Sequence, residues 1–139
     1  MLAVLFSACS NPNKYYKSDC DDGKNFTRVS FAHLIDSIAY YDHQCVEVTG
    51  KYEQSKDESL LANDGDHWDR KVLRVDFSPE CPLYLNGTRI GFFDYDYNDG
   101  KLTPVNNMVI TIHGIVNARY KGHSPAYKGA IGNISYIKL

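Results

Sequence analysis

The sequence lacks any recognisable catalytic motif. No GxSxG nucleophile elbow, HExxH zinc motif or phosphate-binding P-loop occurs among its 139 residues. It also lacks an excess of positive charge: the formal net charge is −2, so electrostatics give no reason to favour nucleic acid as a partner. We therefore expect a protein that is not an enzyme, needs no cofactor and does not bind nucleic acid.

Long apolar runs and tryptophan are equally scarce. After the first few residues, no stretch approaches the roughly 20 residues that span a membrane as a helix. There is one Trp, against 11 Tyr and 6 Phe. Tyrosine joins an apolar ring to a polar tip, which suits half-buried sheet faces as well as binding surfaces. With 43% hydrophobic and 23% charged residues, the chain has the composition of one ordinary globular domain, long enough to bury a core.

The first nine residues, MLAVLFSAC, are typical of the end of a bacterial lipoprotein signal. An apolar run is followed by Ser7 and Ala8, two small residues, and then by Cys9. This order predicts lipid on Cys9 and a location in the bacterial cell envelope, as an outer-membrane lipoprotein facing the periplasm or the surface. The run is short for a complete signal, so we expect the true start to lie upstream. The alternative is an ordinary apolar N-terminus.

Residues 10–25 combine Asn, Pro, Ser, Asp and Lys with few apolar side chains. Such a segment buries too little apolar surface to offset the entropy of ordering, so we predict a flexible tether in front of a domain of residues 26–139. The remaining cysteines are Cys20, Cys45 and Cys81. Their spacing fits no zinc motif, and an oxidising envelope favours one disulfide and one free thiol without identifying the pair.

The domain begins with a helical pattern. Ser30 stands where an N-cap belongs, and apolar residues then recur along one helix face from Phe31 to Ala39. Strand patterns follow, with Val46 and Val48 alternating with polar residues and Gly50 permitting a bend. The predicted strands span residues 45–54, 60–62, 72–78, 108–120 and 130–139. This order predicts a mainly β protein: a small closed five-stranded Greek-key, OB-like barrel with one N-terminal helix.

Three stretches carry a more specific resemblance. They read YYDHQCVEVTGKY at residues 40–52, IHGIVNARYKGH at 112–123 and GAIGNISYIKL at 129–139. These resemble a group of small OB-fold envelope lipoproteins of Bacteroidetes, in which a helix leads into Y-D/N-G-K-x-V-x-V-x-G and a late strand is followed by G-x-I-x-N-I. His43 and Gln44 stand where the group has Gly-Lys. The resemblance implies a fold and a compartment, and it implies no mechanism.

The predicted binding surface follows from the strand count. OB folds bind ligands largely between the loops that join strands one to two and four to five, here residues 53–59 and 121–128. The second loop sets cationic side chains beside tyrosines, which suits a saccharide, a carboxylate or a peptide backbone, although an ordinary solvated hairpin is the alternative. The predicted ligand-binding residues are Trp68, Arg74, Arg119, Tyr120, Lys121, His123, Tyr127 and Lys128.

The expected function is therefore a monomeric, non-catalytic module that binds a small ligand, saccharide, peptide or envelope protein. The alternative is a metal-dependent enzyme or metal-binding protein that uses calcium or zinc at the acidic loops 64–69 and 94–99 with His67. Residues 94–100 resemble the start of a calcium loop. However, Gly100 falls one place late, and Val105 stands where an EF-hand places its bidentate Glu.

Overall fold

The computed structural model describes residues 14–55, 58–63, 70–92, 105–120, 122 and 125–139. Within these residues the chain forms eight strands and one short helix. In chain order the elements are β1 (Tyr15–Lys17), β2 (Thr27–Arg28), α1 (Phe31–Asp36), β3 (Cys45–Ser55), β4 (Glu58–Ala62), β5 (Val72–Asp76), β6 (Tyr84–Leu85), β7 (Val109–Asn117) and β8 (Tyr127–Lys138). No helix among these residues is long and apolar enough to cross a membrane.

The five longest strands close into a barrel. Antiparallel pairs join β3 to β4 and β4 to β5, and a parallel pair joins β5 to β8. The circle is completed because β8 pairs with β7 and β7 pairs with β3, both antiparallel. The predictions of a mainly β protein and of a closed five-stranded barrel are confirmed.

The barrel interior is filled by alternate side chains of these strands. Val46 and Val48 of β3 are fully buried, as the alternation in the sequence predicts. Leu73 and Val75 of β5 are buried in the same way, whereas Arg74 between them is only half-buried. Burying each of these aliphatic side chains contributes about 1.5–3 kcal/mol relative to leaving it in water.

Two glycines allow neighbouring strands to approach each other closely. A Cβ at Gly50 would lie 2.7 Å from Cγ of Leu61 on the neighbouring strand. A Cβ at Gly114 would lie 2.6 Å from Cγ1 of Ile131, and the β7–β8 register shifts at this point. Any larger residue would force the two strands apart, so both glycines serve the packing of the barrel wall.

The helix is shorter than its apolar pattern predicts. Ser30 is the N-cap, as expected, and its Oγ accepts from the His33 N–H at 3.1 Å. The helix then ends at Asp36, and the chain continues in turns in which the Tyr40 N–H donates to the Ser37 carbonyl. Ile38 still packs on the core from these turns, so its position fits the helical spacing without extending the helix.

Part of the predicted tether pairs with the barrel wall. β1 pairs with β8 and β6, and Tyr16 in β1 is buried. Cys20 forms a disulfide with Cys81, and Cys45 is a free thiol. The prediction of one disulfide and one free thiol is therefore confirmed. Composition alone missed this packing because β1 gains its hydrogen bonds from strands far away in sequence.

Candidate functional site

The structure describes only part of the predicted ligand-binding set. Arg74, Arg119, Tyr120, Tyr127 and Lys128 lie within the described residues. Trp68, Lys121 and His123 lie outside them, as do Cys9 and the acidic loops 64–69 and 94–99 with His67.

Three of the predicted residues come together in space, and we call Arg74, Tyr120 and Tyr127 the rim cluster. Arg74 Nη1 donates to the Tyr120 hydroxyl at 3.1 Å, and its Cζ lies 5.3 Å from the centroid of the same ring. The Tyr120 and Tyr127 rings meet edge to face, with centroids 5.9 Å apart. All three side chains are half-buried, so each has both a packed side and a solvent-facing side.

Hydrogen bonds and burial raise the pKa values of Arg74 and Tyr127 in the rim cluster. The bond to Tyr120, and then the bond from Arg74 Nε to Asp76 Oδ1 at 2.7 Å, raise the pKa of Arg74 above its ordinary value. Burial, and then a hydrogen bond with Glu58, raise the pKa of Tyr127 to about 12. The cluster therefore presents a cationic guanidinium beside a neutral phenol throughout the physiological pH range.

The other two described residues are arranged differently. Arg119 and Lys128 are exposed, and the backbone N–H of Arg119 donates to Asn117 Oδ1 at 3.1 Å. Lys128 follows Tyr127 directly in β8 and lies where the β5–β8 register shifts, because Val72 pairs with Tyr127 and Leu73 pairs with Gly129.

A second cluster was not predicted. It consists of His113 between two carboxylates, Asp21 and Glu47, and we call these three residues the histidine clamp. The ring Nδ1 lies 2.5 Å from Asp21 Oδ2, and Nε2 lies 2.8 Å from Glu47 Oε2. Phe26 and Tyr136 stack on the ring with centroids 4.1 and 4.4 Å away. Only 5% of the His113 side chain is exposed.

This arrangement closes the imidazole to substrates. Both ring nitrogens already have partners, and both ring faces are covered by aromatic rings. A general base needs one nitrogen within reach of an incoming proton. Within the described part of the chain, no group of His, Cys, Asp and Glu side chains has the arrangement of a metal site. As arranged here, the clamp is a structural feature and not a catalytic one.

Part of the clamp was accessible to sequence reasoning. The alternation in the sequence places Val46 and Val48 inside the barrel, so Glu47 must point outward, and the same reasoning applies to His113 beside Ile112. The register then sets Glu47 directly opposite His113 on the neighbouring strand. Asp21 could not be found in this way, because it is 92 residues from His113 in a segment without strand periodicity.

An open depression lies next to the clamp. Its volume is about 400 Å³, and β1, the chain that follows it, and the β6 turn line it with mainly polar groups. Lys17 and Asp19 contribute opposite charges on one side, and Tyr84 and Thr88 lie on the other. Asp21 lines the depression and also contacts His113 in the clamp.

No family model matches the chain, and neither a curated protein nor a solved structure matches it. Function must therefore be inferred from the side chains and their geometry.

Proposed function

We propose that this chain is a non-catalytic binding module of the bacterial cell envelope, an OB-like barrel that binds a carboxylate-bearing saccharide or peptide at the rim cluster. The strand order β3–β4–β5–β8–β7, closing on β3, supports the OB-like assignment, because it is a Greek-key path in which the last two strands exchange places. The rim cluster then belongs to the end of the barrel that carries the β7–β8 connection.

The observation that carries the proposal is the packing of Arg74 over Tyr120, with Tyr127 beside it. A guanidinium has five N–H donors in a planar fork. The described contacts use donors on Nε and Nη1, for Asp76 and Tyr120. These contacts orient the fork before a ligand arrives, and orientation in advance lowers the entropy lost on binding.

The chemistry of the cluster indicates the class of ligand. A carboxylate forms strong charge-assisted hydrogen bonds with a guanidinium, and the edges and faces of tyrosine rings pack on sugar rings or peptide planes. Because 39% of the Arg74 side chain is exposed, its charge can be reached from solvent without opening the core.

Amide chemical shifts in a titration test this proposal. The probes are a uronic-acid oligosaccharide, an acidic peptide, and a neutral oligosaccharide as the control for charge. We expect shifts centred on Arg74, Tyr120 and Tyr127 with an acidic probe. We also expect Arg74→Gln to weaken Kd by about tenfold, which corresponds to ~1.4 kcal/mol.

Arg119→Gln is the matched control, because it removes an equal charge from an exposed position next to Tyr120, on the connection between β7 and β8. Equal losses from both substitutions would reduce the effect to nonspecific charge attraction and contradict the proposal. Calorimetry with calcium and zinc tests the metal-dependent alternative. Specific micromolar binding of either ion would replace the ligand-binding proposal with that alternative.

The envelope part of the proposal rests on Cys9 and has its own test. Protein made from the full gene should partition into detergent with the membrane fraction and accept a lipid label. Cys9→Ala should abolish labelling. Unchanged lipid labelling of that variant would contradict the anchor while leaving the ligand site untouched.

A further inference from the structure

The chain between β1 and β2 forms a strap, residues 18–26, across the outer surface of the barrel. The Ser18 N–H donates to the Ser135 carbonyl of β8 at 2.9 Å, and the disulfide of Cys20 holds the same end. At the other end, β2 pairs with β3. The strap is therefore fixed at both ends, and its middle carries Asp21 and Phe26, which contact His113.

Beneath the strap lies a row of polar and aromatic residues. The strand registers place Glu47, His113 and Tyr136 side by side on β3, β7 and β8. Their neighbours Val46, Ile112 and Ile137 are fully buried in the core, so the row itself points outward. The strap covers this row, which explains why an outward histidine is almost fully buried.

Both carboxylates of the clamp have the surroundings of ionised groups. Asp21 Oδ1 accepts from the Gly23 N–H at 2.6 Å, and Asp21 Oδ2 accepts from the Ser135 hydroxyl at 3.2 Å. Glu47 Oε1 accepts from Arg28 Nε at 3.0 Å. Donors directed at every one of these oxygens favour the charged form of a carboxyl group.

An ionised carboxylate only accepts hydrogen bonds, so each ring nitrogen of His113 must donate. Only the imidazolium has an N–H on both nitrogens. A neutral ring would leave one lone pair directed at a carboxylate oxygen of Asp21 or Glu47 in a mostly buried site, which is unfavourable. The stacked rings of Phe26 and Tyr136 also favour a cation between them.

Two groups near the clamp have raised pKa values. Burial, and then the charges of Asp21 and Asp22, raise the pKa of the Cys45 thiol. Burial, and then the charge of Glu47, raise the pKa of Tyr136. Burial is the main cause for both groups, and the neighbouring carboxylate charges act in the same direction.

The charged and titratable groups around His113 come from every element packed on it. They are Asp21 and Asp22 of the strap, Arg28 of β2, Cys45 and Glu47 of β3, and Tyr136 of β8. Arg28 is 77% exposed and already bonded to Glu47, so it does not replace a charge lost from the ring.

We propose that His113 is a proton-dependent latch: as an imidazolium it holds the strap on the barrel, and loss of its proton releases the strap from β7 and β8. The disulfide between Cys20 and Cys81 keeps one end attached, so release is a local and reversible opening. Opening uncovers the row of Glu47, His113 and Tyr136. The latch shares no residue with the rim cluster, so a test that contradicts the proposed ligand site would leave the latch proposal unaffected.

The test begins with the protonation of the ring in the full chain. Nitrogen-15 NMR distinguishes a ring with two N–H groups from either neutral tautomer. At neutral pH we expect the His113 signals of a doubly protonated ring, with the signals of exposed His33 as the internal reference. A neutral tautomer in the folded protein with the strap still closed would overturn the proposal.

Amide hydrogen exchange then tests the release. As pH rises through the deprotonation of His113 seen by NMR, protection of the Ser18 amide, which donates to Ser135 of β8, should fall at least tenfold after correction for the intrinsic exchange rate. The β3–β7 ladder should keep its protection. His113→Gln should leave the strap unprotected at every pH, whereas His33→Gln should behave as the unsubstituted protein.

If His113→Gln fails to fold, the pH titration of the unsubstituted protein still tests whether loss of the His113 proton releases the strap. Strap protection that persists after His113 has lost its proton would overturn the latch. Simultaneous loss of protection in the strap and the ladder would also overturn it, because that result describes unfolding of the whole barrel.

Discussion

The rim cluster and the histidine clamp use similar chemistry in opposite surroundings. Each sets a basic side chain against aromatic rings and a carboxylate. The Arg74 side chain is 39% exposed and that of Asp76 46%, whereas the values for His113 and Asp21 are 5% and 3%. An exposed ion pair exchanges partners readily and contributes little to the free energy of unfolding. Removing one partner of a buried ion pair is strongly destabilising, because it leaves an uncompensated buried charge. The difference in exposure therefore makes the rim cluster suited to binding a ligand and the histidine clamp suited to fixing the strap to the barrel.

The largest expected effect is on stability, and it tests this contrast directly. His113→Ala should lower the free energy of unfolding by about 3–5 kcal/mol, because it leaves two carboxylates without their shared partner in a mostly buried site. Arg74→Gln should lower it by about 1 kcal/mol or less. Urea denaturation of the two variants measures both values. Equal losses would mean that exposure does not distinguish the clusters.

Removing the disulfide should have the next largest effect. Cys20 and Cys81 are 61 residues apart in sequence. Removing a disulfide that closes such a loop lowers the free energy of unfolding by about 2–4 kcal/mol. The double substitution Cys20→Ser with Cys81→Ser should loosen the strap and leave the amide signals of Tyr120 and Tyr127 in place. Cys45→Ser, which breaks no disulfide, is the control. Larger shifts at the rim than at the strap would show that the two regions are not separate.

Tyr127 of the rim cluster should titrate at an unusually high pH. Because burial raises the pKa of Tyr127 to about 12 from 10.0, its effect on stability is constant below about pH 10. Stability is then lost as pH rises toward about 12, since the unfolded chain gives up this proton more easily. Ultraviolet absorbance of tyrosinate measures the titration. Tyr127→Phe should remove a late step that Tyr40→Phe, at a 73% exposed position, leaves intact.

The smallest expected effect concerns the free thiol beside the clamp. Burial and the nearby charges of Asp21 and Asp22 raise the pKa of Cys45, so less of it is thiolate at mildly alkaline pH. Alkylation of Cys45 should therefore be several-fold slower in the folded protein than in the urea-unfolded chain. A rate equal to that of the unfolded chain would mean that the thiol feels neither burial nor the negative field.

Local pattern predicted the barrel wall well. Alternation around Val46 and Val48, and again around Leu73 and Val75, placed the strands and their inward faces correctly, because burial repeats every second residue along a strand. Ser30 predicted the start of the helix. Its end at Asp36 was missed because Ile38 packs on the core from a turn, which satisfies the apolar spacing without helical hydrogen bonds.

The contacts that could not be predicted from the sequence join residues that lie far apart along the chain. Asp21 bonds to His113 and Ser135, which are 92 and 114 residues away, so no local pattern indicates the strap. The same holds for the choice of Cys81 as the partner of Cys20. Arg74 and Tyr120 are 46 residues apart. Their proximity could be predicted only by assigning the five strands to an OB-like order, which sets the loop after the fourth strand near the third strand.

The most direct measurement compares the two regions in one sample. An amide spectrum recorded with and without a uronic-acid oligosaccharide or an acidic peptide reports both clusters at once. The account predicts shifts centred on Arg74, Tyr120 and Tyr127, and unchanged signals for Asp21, Glu47 and His113. Saturable shifts at the clamp with none at the rim would contradict it.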